Sequence, residues 1–308
     1  MSGTFSARVK RAWNENQLFS ALLELTYACN LNCAFCYNDL TLEGERLTKD
    51  DYFALLDDLA RMGVMNLTLS GGEPLAHPDF FAIGAEARRL GFAIRIKSNG
   101  HALRRDVALR IREEIDPLVI DVSLHGATAE THDRQTRVPG SFDRLQRNLR
   151  TMLDLGLRVR VNTTLTRWNE GELRNMFELT DALGLPLQVD DEVKPRDDGD
   201  REPLDLSASP EGQRTWAALR AERAAVRDPA SISPEGATEQ AALRRSLKDG
   251  VEKHCGAGAS TVSIDPFGNV LPCVQWRRPV GNVRMRRVSE IWGGSPEIDD
   301  VRRITRTV

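Results

Sequence analysis

Between Leu22 and Asp190 the chain alternates short runs rich in branched and aromatic residues with longer stretches whose apolar side chains recur at helical spacing. Such alternation folds into parallel strands joined by crossover helices, because each helix must bury one face against the sheet it bridges. Six strands are expected: Leu22 to Thr26, Asn66 to Ser70, Ala93 to Ser98, Leu118 to Leu124, Arg158 to Thr164 and Leu187 to Asp190. After the first, Thr48 with Asp51 three residues on reads as a capped helix start, and Tyr52, Leu55, Leu56 and Leu59 then share one face. After the fourth, Ser141 opens a helix whose stripe is Leu145, Leu149, Met152 and Leu153, and Gly156 ends it. Six units make about three-quarters of an eight-unit barrel, so the fold class is α/β, a partial (β/α)6 TIM-type barrel. Its chemistry belongs on loops leaving the carboxyl ends of the strands.

The organisation expected is an N-terminal segment over 1–20, a barrel core over 21–195, a linker with helices over 196–250 and a small α+β extension over 251–308. The linker begins in the breaker-rich, charged run from Lys194 to Pro203. Ser209-Pro210-Glu211-Gly212 and Ser233-Pro234-Glu235-Gly236 read as helix openings, with proline at the first helical position. In the extension, Asp265-Pro266-Phe267-Gly268-Asn269 turns a hairpin between Thr261 to Ile264 and Val270-Leu271. A formal charge of -3 carries no net positive field, so no nucleic-acid partner is expected. No run approaches the roughly 18 apolar residues of a membrane helix, so no membrane partner is expected either.

The five cysteines carry the chemistry. Cys29, Cys33 and Cys36 stand as C-x3-C-x2-C directly after the first strand, a spacing that chance gives with odds on the order of one in a thousand. Like charge and geometry resist bringing three thiolates into one short loop unless a metal centre holds them. Structural zinc takes a closed set of four ligands, and the nearest histidine in sequence, His77, lies beyond the second strand. A [4Fe-4S] cluster on three cysteines leaves one iron open to an exogenous ligand. An odd cysteine number and this clustering argue against a secreted disulfide framework and for a reducing, cytoplasmic location.

These residues resemble the radical S-adenosylmethionine (radical SAM) superfamily, whose C-x3-C-x-aromatic-C signature matches Cys29, Cys33, Phe35 and Cys36. A second element, Ser70-Gly71-Gly72-Glu73-Pro74, looks like the family's GGEP motif beside the amino group of SAM. The resemblance implies that Cys29, Cys33 and Cys36 ligate the cluster, with Phe35 covering the cluster or the adenine. It also implies that Gly71, Gly72 and Glu73 border the SAM amino end, and that Asn99, Ser123 and Asn162 contact its ribose and carboxylate. Each of these polar residues is also the kind that ordinarily satisfies a strand end. The activity implied is one-electron reductive cleavage of SAM to methionine and a 5'-deoxyadenosyl radical, which abstracts a substrate hydrogen.

Cys255 and Cys273 flank the hairpin, and His254-Cys255-Gly256-Ala257-Gly258 with the later Val280-Gly281-Asn282-Val283 and Ile291-Trp292 looks like a SPASM or shorter twitch extension. Such extensions hold auxiliary iron-sulfur clusters, so a possible auxiliary site falls on Cys255 and Cys273. The sequence departs from that pattern, because no cysteine follows Cys273 and two thiolates do not hold a cluster unaided. Non-cysteine ligands such as His254 or Asp265, a truncated chain or a lost site are the readings, with truncation or loss favoured.

The resemblance extends to maturases of ribosomally made peptides. Gln188 and Asp190 share one face of the sixth strand, which makes Asp190 a candidate catalytic base or substrate anchor, against ordinary strand-end solvation. The expected partners are a peptide or small-molecule substrate, an electron donor such as flavodoxin or ferredoxin, and a separate leader-peptide-binding protein or an exposed strand edge, since the first 20 residues are too few for a recognition domain. A twitch-type dehydrogenase or cyclase acting on a small molecule is the alternative enzyme. A non-catalytic iron-sulfur or zinc scaffold is the alternative outside enzymes.

Overall fold

The computed structural model describes residues 5–39, 42–227 and 255–306. A first helix, α1 (Phe5–Glu15), precedes the barrel units. The parallel strands are β1 (Ser20–Glu24), β2 (Asn66–Ser70), β3 (Ala93–Ser98), β4 (Val119–Ser123), β5 (Val159–Thr164) and β6 (Leu187–Asp190). Helices α2 (Lys49–Arg61), α3 (Phe80–Arg89), α4 (Arg105–Arg110), α5 (Ala129–Thr136), α6 (Ser141–Asp154) and α7 (Leu173–Ala182) connect them. The expected partial barrel is what forms, and α8 (Pro210–Arg227) follows it, opened by Ser209, whose hydroxyl accepts from the Gly212 amide at 3.0 Å. The second such opening, at Ser233, lies outside the described residues.

Two local expectations shift. The first strand begins at Ser20 and ends at Glu24, two residues earlier than its apolar run suggests. Its limits follow its partners: Ser20 through Glu24 align with Asn66 through Ser70, after which Thr26 and Ala28 turn away to receive amides from the loop after β2. Ser141 is the first residue of α6 rather than its cap. The Asp133 carboxylate at the end of α5 does that work, accepting from the Phe142 amide at 2.8 Å and from the Ser141 hydroxyl at 2.7 Å. Thr48 and Asp51 do form the reciprocal capping box of α2.

The extension does not form a sheet of its own. Strand β7 (Thr261–Ile264) pairs in parallel with β1, from Ser20 opposite Thr261 to Leu23 opposite Ile264. Strands β8 (Asn269–Leu271) and β9 (Gly281–Asn282) continue antiparallel, giving one nine-stranded sheet ordered β6-β5-β4-β3-β2-β1-β7-β8-β9. Two short helices, α9 (Val288–Trp292) and α10 (Pro296–Thr305), complete it, with Ser289 bonded through its hydroxyl to Asp58 of α2 at 2.6 Å.

The strand pleat sorts the side chains. Leu67, Leu69, Ile96, Ile120, Val122 and Val161 are fully buried in the core shared with the helices, each contributing about 1.5–3 kcal/mol of burial. The alternate positions, Thr68, Arg95, Lys97, Asp121, Arg160, Asn162 and Asp190, fall on the opposite face, which is the barrel's interior. A polar interior of this kind leaves an open chamber rather than a packed core.

Candidate active site

Residues Cys29 to Cys36 form the loop that leaves β1, and four segments brace it. The Gly72 amide donates to the Thr26 carbonyl at 2.7 Å and the Glu73 amide to that of Ala28 at 2.9 Å. From the other side, the Asn32 and Ala34 amides donate to the carbonyls of Thr136 and Gln135 at 3.2 and 2.9 Å. The Asn38 side-chain amide closes the loop onto the Gly71 carbonyl at 3.1 Å. This contact explains the glycine pair: a Cβ on Gly71, whose φ is +132°, would lie 2.3 Å from the Thr26 oxygen, and one on Gly72 would lie 2.5 Å from that of Tyr27. The glycines therefore let two loops of the protein meet, whatever they also offer a ligand.

Glu73 sits behind this contact, almost wholly buried. Its carboxylate accepts from the Asn99 amide at 2.8 Å, the Ser98 hydroxyl at 2.9 Å and the Leu75 amide at 3.3 Å, so it fixes the loop after β3. Burial pushes its pKa up to about 7 against those hydrogen bonds. Asn99, positioned in this way, donates to the Asn30 side-chain oxygen at 2.7 Å and stands 3.8 Å from the Cys29 sulfur. Phe35 meets His125 edge-on, ring centres 4.7 Å apart. Burial, with His132 alongside, lowers the His125 pKa to about 3 and leaves the imidazole neutral. His132 is stacked behind it, accepting from the His125 amide at 3.0 Å, while His77 and His101 are buried away from the cavity.

Three cysteines and most of the other residues singled out in the sequence line one cavity of about 240 Å³. Phe35, Gly71, Gly72 and Asn99 form its wall beside the thiols. Ser123, Asn162 and Asp190 face them from β4, β5 and β6. Burial raises the pKa of all three thiols, and for Cys33 the neighbouring Cys36 and Cys29 raise it further. Three mutually repelling, water-poor sulfurs need a cationic centre to stand together as thiolates. Among the described residues no three His, Cys, Asp or Glu side chains are arranged around a single metal ion. A cubane asks for something else, one thiolate on each of three irons, and an all-sulfur donor set suits it.

Cys255 and Cys273 lie outside this cavity, partly buried against the core beyond β7 and β8, the Cys255 sulfur 3.5 Å from the Ala257 amide. The extension nevertheless reaches the site through two residues that sequence reasoning missed. Gln275 lines the cavity. Arg277 donates to the buried Glu24 carboxylate at 2.7 Å, contacts the Tyr27 hydroxyl and pairs with Asp197 at 3.2 Å. Glu24 was the available signal, since a carboxylate inside an otherwise apolar strand requires a partner. Lys97, two residues before Asn99, also lines the cavity. Walls on all sides lower its pKa by desolvation although the ammonium remains open to the chamber.

Residues 23–180 match the family described as the Radical SAM superfamily, just over half of the chain. The chain belongs to the radical SAM superfamily. A radical SAM enzyme carries a [4Fe-4S] cluster and uses S-adenosylmethionine, and these are the cofactors of this chain's family. Residues 255–307 match SPASM, described as an iron-sulfur cluster-binding domain. Among characterised relatives, an AdoMet-dependent heme synthase of Methanosarcina barkeri is 28% identical over 281 residues, covering 87% of this chain and 80% of that one. A mycofactocin maturase of Mycobacterium tuberculosis is 31% identical over 259 residues, 81% of this chain. The radical SAM chain spans only 63% of that maturase's length. SuiB of Streptococcus suis shares the fold, with a TM-score of 0.73 at 15% identity, covering 96% of this chain and 72% of SuiB. No helix among the described residues is long and apolar enough to cross a membrane.

Proposed function

We propose that this radical SAM enzyme modifies a ribosomally made peptide, with Cys29, Cys33 and Cys36 as the ligands of its cluster and SAM on the remaining iron. When bound, the cluster and SAM supply a primary carbon radical for hydrogen abstraction. The chain's own residues do the rest. The loop after β2 holds the cysteine loop in register, Asn99 is fixed beside Cys29 by Glu73, and Ser123 and Asn162 present polar groups one strand apart for the ribose and carboxylate. Phe35, rigid against His125, screens one side from water, which would otherwise quench a radical. A small flavin or iron-sulfur protein such as flavodoxin or ferredoxin is the electron donor this scheme requires.

The observation that carries the peptide reading is the open edge of β6. Among the described residues it pairs with β5 alone, and Asp190 at its end lines the cavity. An extended peptide adding to that edge would gain main-chain hydrogen bonds and be led to the radical, with Asp190 placed to receive a proton or hold a side chain. The likeness to mycofactocin maturases supports this reading. Anaerobic reconstitution with SAM, a reductant and candidate precursor peptides tests it: 5'-deoxyadenosine should appear together with a mass change in the peptide. Cleavage of SAM without any change in a broad peptide panel would leave the reading without support. A second reading, a small cyclic or tetrapyrrole-sized substrate, is favoured by the heme synthase, the greater part of whose length this chain covers. The same assay with iron-porphyrin carboxylates separates the two.

A further inference from the structure

The interior of the barrel is built in layers that the strand register defines. Ser123 on β4 lies opposite Asn162 on β5, and Asn99 follows the end of β3 at about the same height. One pleat deeper, Lys97 on β3 lies opposite Asp121 on β4, which lies opposite Arg160 on β5. Two residues separate the layers, about 7 Å along the strands. The upper layer is where the proposed function puts SAM. The lower one is where anything reacting beneath it must lie.

In the lower layer one cation is left without a partner. Asp121 is almost completely buried, and both its oxygens are taken by Arg160, at 2.7 and 2.9 Å, with Arg95 at 3.6 Å. Glu24, level with Lys97 on the same face of β1, is held by Arg277 at 2.7 Å, and Asp190, one pleat above the upper layer, takes no cation among the described residues and accepts the Glu192 amide at 3.3 Å. Lys194 is paired with Glu192 at the cavity wall. Of the inward cations on β3 to β5, Arg95 and Arg160 are paired with Asp121, and Lys97 is the one without an ion pair or hydrogen bond among the described residues. Its ammonium opens into the cavity that the cysteines line.

We propose that Lys97 is the anchor for a carboxylate of the substrate, held one layer below SAM. One unpaired ammonium matches one carboxylate, whereas a phosphate dianion would leave a charge uncompensated in a chamber of restricted hydration. Lysine presents rotatable donors on a flexible stem and so accepts a carboxylate from a range of directions. On the peptide reading, on which this inference rests, the carboxylate is an acidic side chain or a C-terminus placed next to the abstraction site.

The test uses butyrate and its neutral counterpart butyramide as probes on the anaerobically reconstituted, SAM-loaded enzyme. Butyrate should bind at least about tenfold more tightly than butyramide; Lys97→Gln should erase that preference and Lys97→Arg keep it, while the affinity for SAM changes by less than about threefold. A preference that survives Lys97→Gln, or no preference in the parent enzyme, overturns the proposal. So does a tenfold loss of SAM affinity with the butyrate preference intact, which would assign Lys97 to the cofactor's own carboxylate. Should Lys97→Gln fail to fold, protection of Lys97 from acetic anhydride by butyrate, and not by butyramide, is read on the parent protein. The same labelling on metal-free protein keeps this inference separate from the functional one: failure to assemble a cluster or bind SAM sinks the latter, and an unprotected Lys97 sinks the former.

Discussion

Cys29, Cys33 and Cys36 occupy a loop braced by the β2 loop, the β3 loop, the end of α5 and its own Asn38, and they open into the chamber inside the barrel. Cys255 and Cys273 flank a hairpin whose strands serve to lengthen the sheet, and their sulfurs do not reach that chamber. One residue type therefore stands in two circumstances. The triplet converges in a rigid, desolvated loop, whereas Cys255 and Cys273 are spaced around a hairpin and partly buried against the core, in a segment that matches an iron-sulfur cluster-binding domain. Besides the pairing of β7 with β1, the extension has an ionic tie to the barrel: Arg277 on Glu24, Tyr27 and Asp197.

The sharpest break of this comparison is Cys33→Ala, which should drop 5'-deoxyadenosine formation to background and deplete bound iron, both read after anaerobic reconstitution. Retention of cleavage would show that the triplet is not the reactive centre. Next in size is Arg277→Ala. Removing one partner of a buried pair typically costs about 3–5 kcal/mol, so chemical denaturation should show a loss of that order, with Arg277→Lys recovering only part because it lacks the fork that spans Glu24 and Asp197.

A smaller effect comes from Glu73. Its pKa in the folded chain, about 7, lies above the ordinary 4.5, so folding favours the protonated form. That contribution is complete below pH 4.5 and is lost as the pH rises through 7. The metal-free protein should therefore lose stability across this window, by about 3 kcal/mol at most, and Glu73→Gln should flatten the slope in a pH series of unfolding curves. Smallest of all is Cys273→Ala, which should spare SAM cleavage and leave unfolding within about 1–2 kcal/mol of the parent, the cost of a half-buried small side chain. Equal losses in Cys33→Ala and Cys273→Ala would erase the distinction between the two regions.

Much of the barrel was legible because its signals are local. Periodicity located six strands to within two residues, since the outward pleat must be apolar wherever helices cover it. The Thr48 and Asp51 box is a four-residue event and could be read as one. Asp133 capping α6 across a turn, in place of Ser141, was not legible, because a cap borrowed from the preceding helix leaves no mark at the helix it serves.

At the site the division runs the same way. The residue types and spacing of Cys29, Cys33 and Cys36, followed by Gly71-Gly72-Glu73, were enough to point to the radical SAM family, because the motif is contained in short stretches of chain. Tertiary structure alone decided that the glycines let two loops touch, that Glu73 holds the β3 loop instead of lining the cavity, that β7 docks on β1, and that Arg277 closes on Glu24 from 253 residues away. Each of those depends on which segments become neighbours in the sheet. Contacts between distant segments are fixed by the whole pattern of burial, which no short stretch of chain contains.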